Sequence, residues 1–385
     1  MIKQWKLNIG SNRRAESSNH FLLGLSSDSL RTIGVFSPRI CALNLQQCGQ
    51  LDNTAFDAWT KKLTCLESLE LYGPFLVRKE AWLRFFDKVG DRLKSLKLRE
   101  TPRFDLECAK RLVQMCPGLQ ELGLAQIGPL DGACLKPLHL LSSLTYLDVS
   151  DPGVAVSGIP PKGLDDDDVI ELLFHIGSRL RHLNLGGNAN LTDRVILEGI
   201  LPFCMSLHEL RLEGLENVES DALVLLFNSM AARNLPKLTW VDLKRCRKLQ
   251  DDSLAALVAH SGPALQILNL NSCSLLTGSV QSEQQLAAGS IDPSGPSQPP
   301  GFGLQLIARG CPSLQKLDVG FVRTCGVAEI MALIKHCEKL ELVHVFGCNR
   351  IPDYIGANPA GPNGATRCRV VGLERVPIIP KNVTT

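Results

Sequence analysis

Aromatic residues and long apolar runs are scarce in this sequence. Tryptophan, tyrosine and phenylalanine make up only 5% of its 385 residues, whereas hydrophobic residues make up 44%, so the core must consist mainly of leucine. No apolar run approaches the roughly 20 residues that a membrane-spanning helix needs. The first twenty residues also lack the apolar stretch of a secretory signal. We therefore expect an intracellular protein without a membrane partner.

Metal-binding cysteine spacing is absent as well. No two of the fourteen cysteines are arranged as C-x-x-C, the spacing that structural zinc sites commonly use. Several cysteines instead occupy fixed places of a repeat, and free cysteine behaves as a small buried hydrophobe. The acidic run Asp165–Asp168 is interpreted as a solvated turn and helix cap. We predict reduced thiols, no metal site and no cofactor.

Motifs of catalysis are missing too. The sequence has no phosphate-binding glycine-rich loop, no nucleophile elbow and no zinc-hydrolase helix. Its eight histidines are scattered, and His182 and His344 are interpreted as lying on strands without a carboxylate partner at useful spacing. We therefore predict that the protein is not an enzyme.

The phrase Leu-x-x-Leu-x-Leu-x-x-(Cys/Asn) recurs eleven times, mostly 25 to 27 residues apart. Its alternating apolar and polar places are typical of a short strand with one buried face, and helix-forming segments lie between copies. This period predicts a leucine-rich repeat solenoid of the α/β class. We expect a curved horseshoe with parallel strands on its concave face and helices on its convex face. The copies begin at Ile40, Leu66, Leu93, Leu119, Leu144, Leu180, Leu207, Leu238, Leu265, Leu314 and Leu340.

The repeats divide the chain into three parts. We predict an N-terminal capping segment over residues 1–39, a repeat domain over 40–375 with a closing strand around Val370, and a C-terminal tail over 376–385. A stretch rich in Ser, Gly, Pro and Gln lengthens one repeat. Such a composition buries little apolar surface, so we expect a disordered insert at about 278–303.

Binding by such a solenoid uses the outward-facing places of its strands, which are places three, five, seven and eight of each repeat. Towards the C-terminus these places and the following loops combine exposed aromatic and basic residues, a typical hot-spot composition. The formal net charge is only +2, so any nucleic-acid contact needs such a local patch. Alternatively, Phe321 and Phe346 fill the gap above the strands. The predicted surface comprises Trp240, Lys244, Arg245, Arg247, Lys316, Phe321, Arg323, His344, Phe346 and Arg350.

Four stretches of the sequence go beyond the generic repeat phrase. LESLELYGPFLVRKEAWLRFF from Leu66, LKSLKLRETPRFD from Leu93, LQKLDVGFVR from Leu314 and LELVHVFGCNRI from Leu340 resemble the fungal leucine-rich repeat protein of global-genome nucleotide excision repair. That family lies within the wider group of F-box-like, cysteine-containing repeat proteins. The resemblance implies a nuclear, non-enzymatic scaffold for damage recognition. Its implied partners are a SWI/SNF-type ATPase with a RING finger, damaged DNA, and an Elongin C and cullin ubiquitin ligase.

Two other functions compete with the repair scaffold. The first is a substrate-recognition subunit of a cullin-type ubiquitin ligase without a direct DNA role, since the generic repeat resembles the F-box group. The second is a regulator of a small GTPase, a class whose repeats carry asparagine at place nine. Here only Asn188 occupies that place, which disfavours the second rival.

Overall fold

The computed structural model describes residues 5–9, 26–36, 39–46, 48–128, 130–151, 163–277, 303–352 and 368–372. The chain forms two compact units, unit 1 over residues 1–217 and unit 2 over residues 218–385. Each unit repeats one motif, a short strand followed by a helical segment that leads to the next strand.

Eight parallel strands follow one another in chain order among the described residues of unit 1, each paired with the next. They are β1 (Trp5–Ile9), β2 (Ile40–Leu45), β3 (Ser68–Tyr72), β4 (Ser95–Arg99), β5 (Glu121–Ala125), β6 (Tyr146–Asp148), β7 (His182–Asn184) and β8 (Glu209–Arg211). Because the register advances by one whole repeat per strand, equivalent places of successive repeats form straight rows across the sheet.

Helices of unit 1 connect these strands and pack on one another in the same order. Several begin at an aspartate whose side chain accepts backbone N–H groups, as at Asp52, Asp105, Asp131 and Asp165, which satisfies orphan donors of the first turn. The helices are α1 (Ser27–Phe36), α2 (Asn53–Lys62), α3 (Lys79–Val89), α4 (Leu106–Met115), α5 (Gly132–Leu135), α6 (Asp166–Ile176) and α7 (Leu201–Phe203), with a π-helical turn over Val195–Ile200.

Unit 2 continues the same pattern with shorter strands. Its described strands are parallel and paired in chain order, namely β9 (Trp240–Asp242), β10 (Ile267–Asn269), β11 (Lys316–Asp318), β12 (Leu342–His344) and β13 (Arg369–Val371). Its described helices are α8 (Ser220–Ala232), α9 (Asp251–Ser261), α10 (Gly303–Gly310) and α11 (Val327–His336).

Leucines at places one, four and six of the repeat build the core. Leu69, Leu71, Leu183 and Leu185 are each at most 1% exposed, and the corresponding leucines of the other repeats are buried likewise. Full burial of a leucine side chain contributes about 1.5–3 kcal/mol, so the recurrence of the phrase accounts for most of the apolar driving force. The predicted leucine-rich repeat solenoid is confirmed.

Place nine holds a small side chain that caps the strand end from within. The thiols of Cys48, Cys273 and Cys348 donate to backbone carbonyl oxygens of Leu45, Leu243 and Val319 at 3.1–3.2 Å. In one repeat Asn188 does the same, donating to the carbonyl oxygen of Leu185 at 2.9 Å. All fourteen cysteines are free thiols, and twelve of them are buried.

The predictions outside the regular repeats had different outcomes. The closing strand around Val370 is present as β13. Strand β1 was not predicted, because its sequence WKLNI carries no complete repeat phrase. The predicted disordered insert at about 278–303 lies outside the described residues except for Gly303, which begins α10. The tail over 376–385 also lies outside them.

Candidate functional site

All ten residues of the predicted surface lie in unit 2, where the sheet register sorts them into rows. Trp240 and Lys316 occupy place three, in a row that runs Trp240, Ile267, Lys316, Leu342, Arg369. His344 occupies place five, next to Asp318. The remaining seven residues follow the C-terminal ends of the strands. Parallel strands end at one common edge, so these residues share that edge; we name the ten residues the unit 2 surface.

Place eight of the repeat adopts the left-handed backbone conformation in each described copy, with φ between 49° and 77°. The N–H group at this place donates to the carbonyl of place seven in the next repeat, as from Phe321 to Phe346 at 2.6 Å and from Arg245 to Asn271 at 2.7 Å. The ladder therefore extends past the strands and imposes this conformation on any residue type. The residues are Gly73, Glu100, Gln126, Asp151, Gly187, Gly214, Arg245, Ser272, Phe321 and Gly347.

Phe321 is the aromatic member of that set. A left-handed conformation costs a residue other than glycine about 1–2 kcal/mol, and for a bulky side chain it is an outlier. Burial does not compensate for this strain, because the side chain of Phe321 remains 45% exposed. The ring makes an edge-to-face contact with Phe346, with ring centroids 5.3 Å apart and planes at 67°. Phe346 is itself 44% exposed, so two contiguous aromatic rings face solvent at this edge.

Aspartate and asparagine at place five have a structural role. The Oδ1 atoms of Asp242, Asn269 and Asp318 accept the N–H group two residues later, at 2.9–3.1 Å, which is an Asx turn. Asn269 Nδ2 also donates to Asp242 Oδ2 at 3.2 Å, and Asn271 Nδ2 to Asp318 Oδ1 at 3.1 Å. These side chains stabilise the turns. His344 replaces them at place five of β12 and is exposed.

Basic residues share this edge of unit 2 with the aromatic pair. Arg245, Arg247, Arg323 and Arg350 are exposed, whereas Lys244 is half-buried. Arg245 is one of the residues with left-handed backbone, with φ of 61°. Two of the arginines lie in the loops past place nine. A third, Arg350, pairs with Gly326 in an isolated parallel bridge at the start of α11.

Two predicted features of this surface differ in the structure. Trp240 was predicted to be exposed, but its side chain is half-buried beside Ile267. Lys316 was predicted to lie beside Trp240 on this surface, but strand β10 lies between them. The two residues are therefore about 10 Å apart, which is two strand spacings. Sequence reasoning also missed Arg369, an exposed cation two strands beyond Lys316 in the same row. Its signal was its position in the closing strand, whose register the sequence did not give.

One histidine expectation was wrong. His182 Nδ1 lies 3.1 Å from Glu209 Oε2 on the next strand, so His182 does have a carboxylate partner. Burial raises the pKa of Glu209, but contacts with His182 and Arg211 lower it more, and the net pKa is below its ordinary value. The carboxylate also accepts from Arg211 at 3.0 Å. Glu209 therefore links His182 on β7 with Arg211 on its own strand β8, an arrangement that stabilises the pairing of these two strands.

The residues that the structure describes contain neither a metal-binding cluster nor a membrane-spanning helix. No group of three or more His, Cys, Asp or Glu side chains is placed there to hold a metal ion. The acidic run acts as a cap: Asp165 Oδ1 accepts the N–H of Asp168 at 3.0 Å, and Asp166 accepts both the N–H and the hydroxyl of Thr192. In that same part of the chain, no helix has the length and apolar character to cross a bilayer.

Comparison with known proteins gives two curated relatives. The chain is 34% identical to the DNA repair protein rhp7 of Schizosaccharomyces pombe over 253 residues, which is 66% of this chain and 43% of the relative. It is 29% identical to the DNA repair protein RAD7 of Saccharomyces cerevisiae over 341 residues, which is 87% of this chain and 54% of the relative. The chain thus spans about half the length of the curated relatives it matches. No family model matches the chain.

A solved structure shares the fold along most of the chain. It is the crystal structure of the Rad7 and Elc1 complex in yeast, with a TM-score of 0.70 and 27% sequence identity. The match covers 90% of this chain and 78% of the solved one. The resemblance seen in the sequence is confirmed, since the homologues are the fungal Rad7 and Rhp7 proteins.

Proposed function

We propose that this chain, a homologue of the fungal Rad7 and Rhp7 DNA repair proteins, is a non-enzymatic interaction scaffold in damage recognition for nucleotide excision repair. The observation that carries the scaffold role is the pair Phe321 and Phe346. One of these rings is held in a strained conformation, and both remain exposed. Glycine at place eight would adopt this conformation without strain, and an exposed phenylalanine gains little burial in return. Strain of this kind is concentrated at functional positions. The repair role rests on homology to two DNA repair proteins.

The unit 2 surface has the chemistry of a protein-binding site. Contact hot spots are rich in aromatic residues and arginine, and here two exposed rings share one sheet edge with Arg245, Arg323 and Arg350. Nearby polar side chains such as Asp242 and Asp318 are occupied by Asx turns, which favours binding over catalysis. We propose that this surface holds a SWI/SNF-type ATPase with a RING finger, in the nucleus.

Damaged DNA is a further proposed ligand of the same surface. Basic residues that contact phosphate release counterions, so affinity falls as salt rises. Each phosphate contact makes the slope of log affinity against log salt steeper by about one. Lys244 and Arg245 lie next to each other at the strand edge, and Arg247 follows them in the loop. A phosphate chain along this edge would meet several of these cations in succession.

The second candidate function is a substrate-recognition subunit of a cullin-type ubiquitin ligase. The observation that favours it is the solved relative, which is a complex of Rad7 with Elc1. An Elongin C adaptor of this kind is therefore a proposed partner of the present chain, together with a cullin. The two functions differ in whether DNA and the ATPase take part.

The test uses three purified baits with the full-length protein: the RING-bearing ATPase, an ultraviolet-irradiated DNA duplex, and Elongin C. A scaffold in damage recognition should bind the ATPase, and the double variant Phe321→Ala/Phe346→Ala should weaken this binding by about tenfold or more. Binding to Elongin C alone, with neither ATPase nor DNA retained, would instead establish the ligase subunit.

The chain offers a matched control for the aromatic variant. Phe75 is 48% exposed and its ring also lies against a left-handed glycine, Gly73, but in unit 1. The double variant Phe75→Ala/Leu76→Ala removes a similar exposed apolar area from a different place. It should leave ATPase binding unchanged. An equal loss of affinity in both double variants would indicate non-specific hydrophobic binding and would contradict the assignment of the ATPase to the unit 2 surface.

A further inference from the structure

A hollow of about 450 Å³ opens on the exposed strand face of unit 1, far along the chain from the unit 2 surface. Its floor is β5, where place five is Gly123 and place seven is Ala125. The equivalent residues of the preceding strand are Lys97 and Arg99, so two long side chains border two missing ones. We name this feature the Gly123 hollow.

The glycine itself is what creates the space. A Cβ atom at this position would lie 3.3 Å from Lys97 Cγ, so the lysine stem packs directly over the glycine backbone. The glycine is not in the left-handed region, since it is absent from the residues with positive φ. Backbone conformation therefore does not require glycine here. Glycine instead lets the Lys97 stem approach the β5 backbone closely, and together with Ala125 it leaves β5 without a long side chain that would fill the hollow.

The wall formed by Lys97 is already neutralised. Its Nζ lies 2.7 Å from Glu121 Oε2 and 4.3 Å from the centroid of the Tyr146 ring. Burial raises the pKa of Glu121, but hydrogen bonds from Lys97 and Ser95 lower it more, so its net pKa is below the ordinary value. Glu121 is therefore ionised at neutral pH and holds the lysine in place.

Arg99 is oriented but not neutralised. Its Nε donates to Gln126 Oε1 at 2.6 Å, and Gln126 Nε2 donates in turn to Asp151 Oδ2 at 2.8 Å. The guanidinium also lies 5.5 Å from the ring centroid of Tyr72. Within the described residues its two terminal amino groups make no hydrogen bond, and the side chain is exposed. A guanidinium held through Nε presents those amino groups as a fork that fits a carboxylate.

We propose that the Gly123 hollow binds an acidic side chain of an extended peptide from a partner protein. The peptide carboxylate would take the two terminal amino groups of Arg99, and its main chain would cross the hollow above β5. Tyr72 and Tyr146 flank the hollow and supply apolar contact area. This site is separate from the unit 2 surface, so it does not depend on the proposed function.

Charge around the hollow favours a peptide over a nucleic acid. Glu70 and Asp148 also line it. Glu70 accepts from Asn44 at 2.8 Å and Asp148 from the Ser150 hydroxyl at 2.6 Å, so neither needs a cationic ligand. Both would repel a phosphodiester chain with a charge at each nucleotide. A single carboxylate placed at Arg99 avoids them, and the volume suits a few side chains.

The experiment pans a random octapeptide display library against the full-length protein, and the most enriched peptide is then synthesised with a fluorescent label. We expect enriched peptides to contain Asp or Glu at one recurrent place. In anisotropy titrations Arg99→Ala should weaken binding about tenfold or more, since a charge-assisted pair is lost. Arg99→Lys should recover only part of it, because lysine lacks the fork.

Two substitutions at Gly123 distinguish a filled hollow from an unfolded protein. Gly123→Gln should block the peptide, while Gly123→Ala should bind nearly as the natural chain does. Neighbouring strands hold Lys97 and Asp148 at the same place, so a long polar side chain is compatible with the fold, and melting curves check this. Arg84→Ala on α3 is the control for loss of an exposed arginine.

Three results would overturn the proposal. One is enrichment of peptides without an acidic residue at a recurrent place, or no enrichment at all. Another is peptide affinity that is unchanged in both Arg99→Ala and Gly123→Gln. A third is tighter binding of a ten-residue deoxythymidine oligonucleotide than of the peptide, lost in Arg99→Ala, which would assign the hollow to nucleic acid.

Discussion

The ring of Phe321 lies against Gly347 so closely that a Cβ on Gly347 would come within 2.6 Å of Phe321 Cδ1. Both residues occupy place eight of their repeats, and both have left-handed backbone, with φ of 60° and 73°. The glycine of one repeat therefore leaves room for the strained phenylalanine of the repeat before it. This relationship explains why the aromatic ring can remain at the strand edge.

The first prediction is a double-mutant cycle on this pair. Gly347→Ala should lower the free energy of unfolding by about 2 kcal/mol or more, because about 1 kcal/mol of left-handed strain adds to displacement of the Phe321 ring. In a Phe321→Ala background the same change should cost about 1 kcal/mol less, a coupling typical of contacting residues. Urea unfolding of the four proteins measures this. Equal costs in both backgrounds would mean that the ring does not depend on the glycine.

The second prediction concerns the core. Leu212 stands at place six of its repeat and is 1% exposed. Leu212→Ala should lower the free energy of unfolding by about 2–5 kcal/mol, through the lost burial and the cavity left behind. The control Leu140→Ala removes an exposed leucine and should change it by less than about 1 kcal/mol. A small effect of Leu212→Ala in chemical unfolding would contradict the shared leucine core.

The third prediction concerns pH. His260 is buried and its pKa is lowered, first by burial and then by the nearby charge of Lys237. The Ser261 hydroxyl accepts the N–H of Leu238 at 2.9 Å, so its hydrogen can be donated to His260 Nδ1, 2.6 Å away. A His260 ring that accepts this hydrogen at Nδ1 is neutral. The neutral ring stabilises the fold above the ordinary histidine pKa of 6.5, and this stabilisation is lost as pH falls from there through the lowered pKa.

Thermal unfolding at several pH values checks this. Between pH 7.5 and 5 the natural protein should lose stability, and His260→Gln should lose less over the same interval, even if it is less stable throughout. His336→Gln, at the exposed end of α11, serves as the control and should follow the natural protein. An unchanged pH slope in His260→Gln would show that another group titrates.

The repeat phrase predicts the fold well, because burial at places four and six follows directly from residue type. Leu69, Leu185 and Leu268 could be placed from the sequence alone. The left-handed backbone at place eight could not, since Arg245 and Phe321 have side chains that disfavour it. The backbone ladder between repeats imposes that conformation. Glycine holds only four of the ten described positions, so residue preference alone does not set the conformation.

The candidate sites likewise combine features that the sequence predicts with features that only the structure shows. The contact of Phe321 with Phe346 could be anticipated, because both follow strands one repeat apart. The pairing of His182 with Glu209, 27 positions apart in the sequence, needs the strand register. The Gly123 hollow could have been found from glycine at place five, where each neighbouring strand carries a larger residue. Its significance depends on the orientation of Arg99, which only the side-chain contacts show.

The ligand of the unit 2 surface can be identified by opposite variants. Charge reversal with Lys244→Glu/Arg245→Glu removes cations, whereas Phe321→Ala/Phe346→Ala removes apolar anchors. If irradiated DNA binds here, charge reversal should weaken it and lower the salt slope by about one per lost phosphate contact. Lys61→Glu/Lys62→Glu on α2 is the control, since it reverses two adjacent exposed lysines in unit 1. A salt slope unchanged by the unit 2 reversal would exclude phosphate contacts at these two residues.

The decisive measurement for the scaffold role is the equilibrium affinity of the purified full-length protein for the RING-bearing SWI/SNF-type ATPase, with and without the two rings. We predict measurable binding that falls about tenfold or more in Phe321→Ala/Phe346→Ala and is unchanged in Phe75→Ala/Leu76→Ala. Absence of binding by the natural protein, or equal affinity in all three proteins, would contradict it.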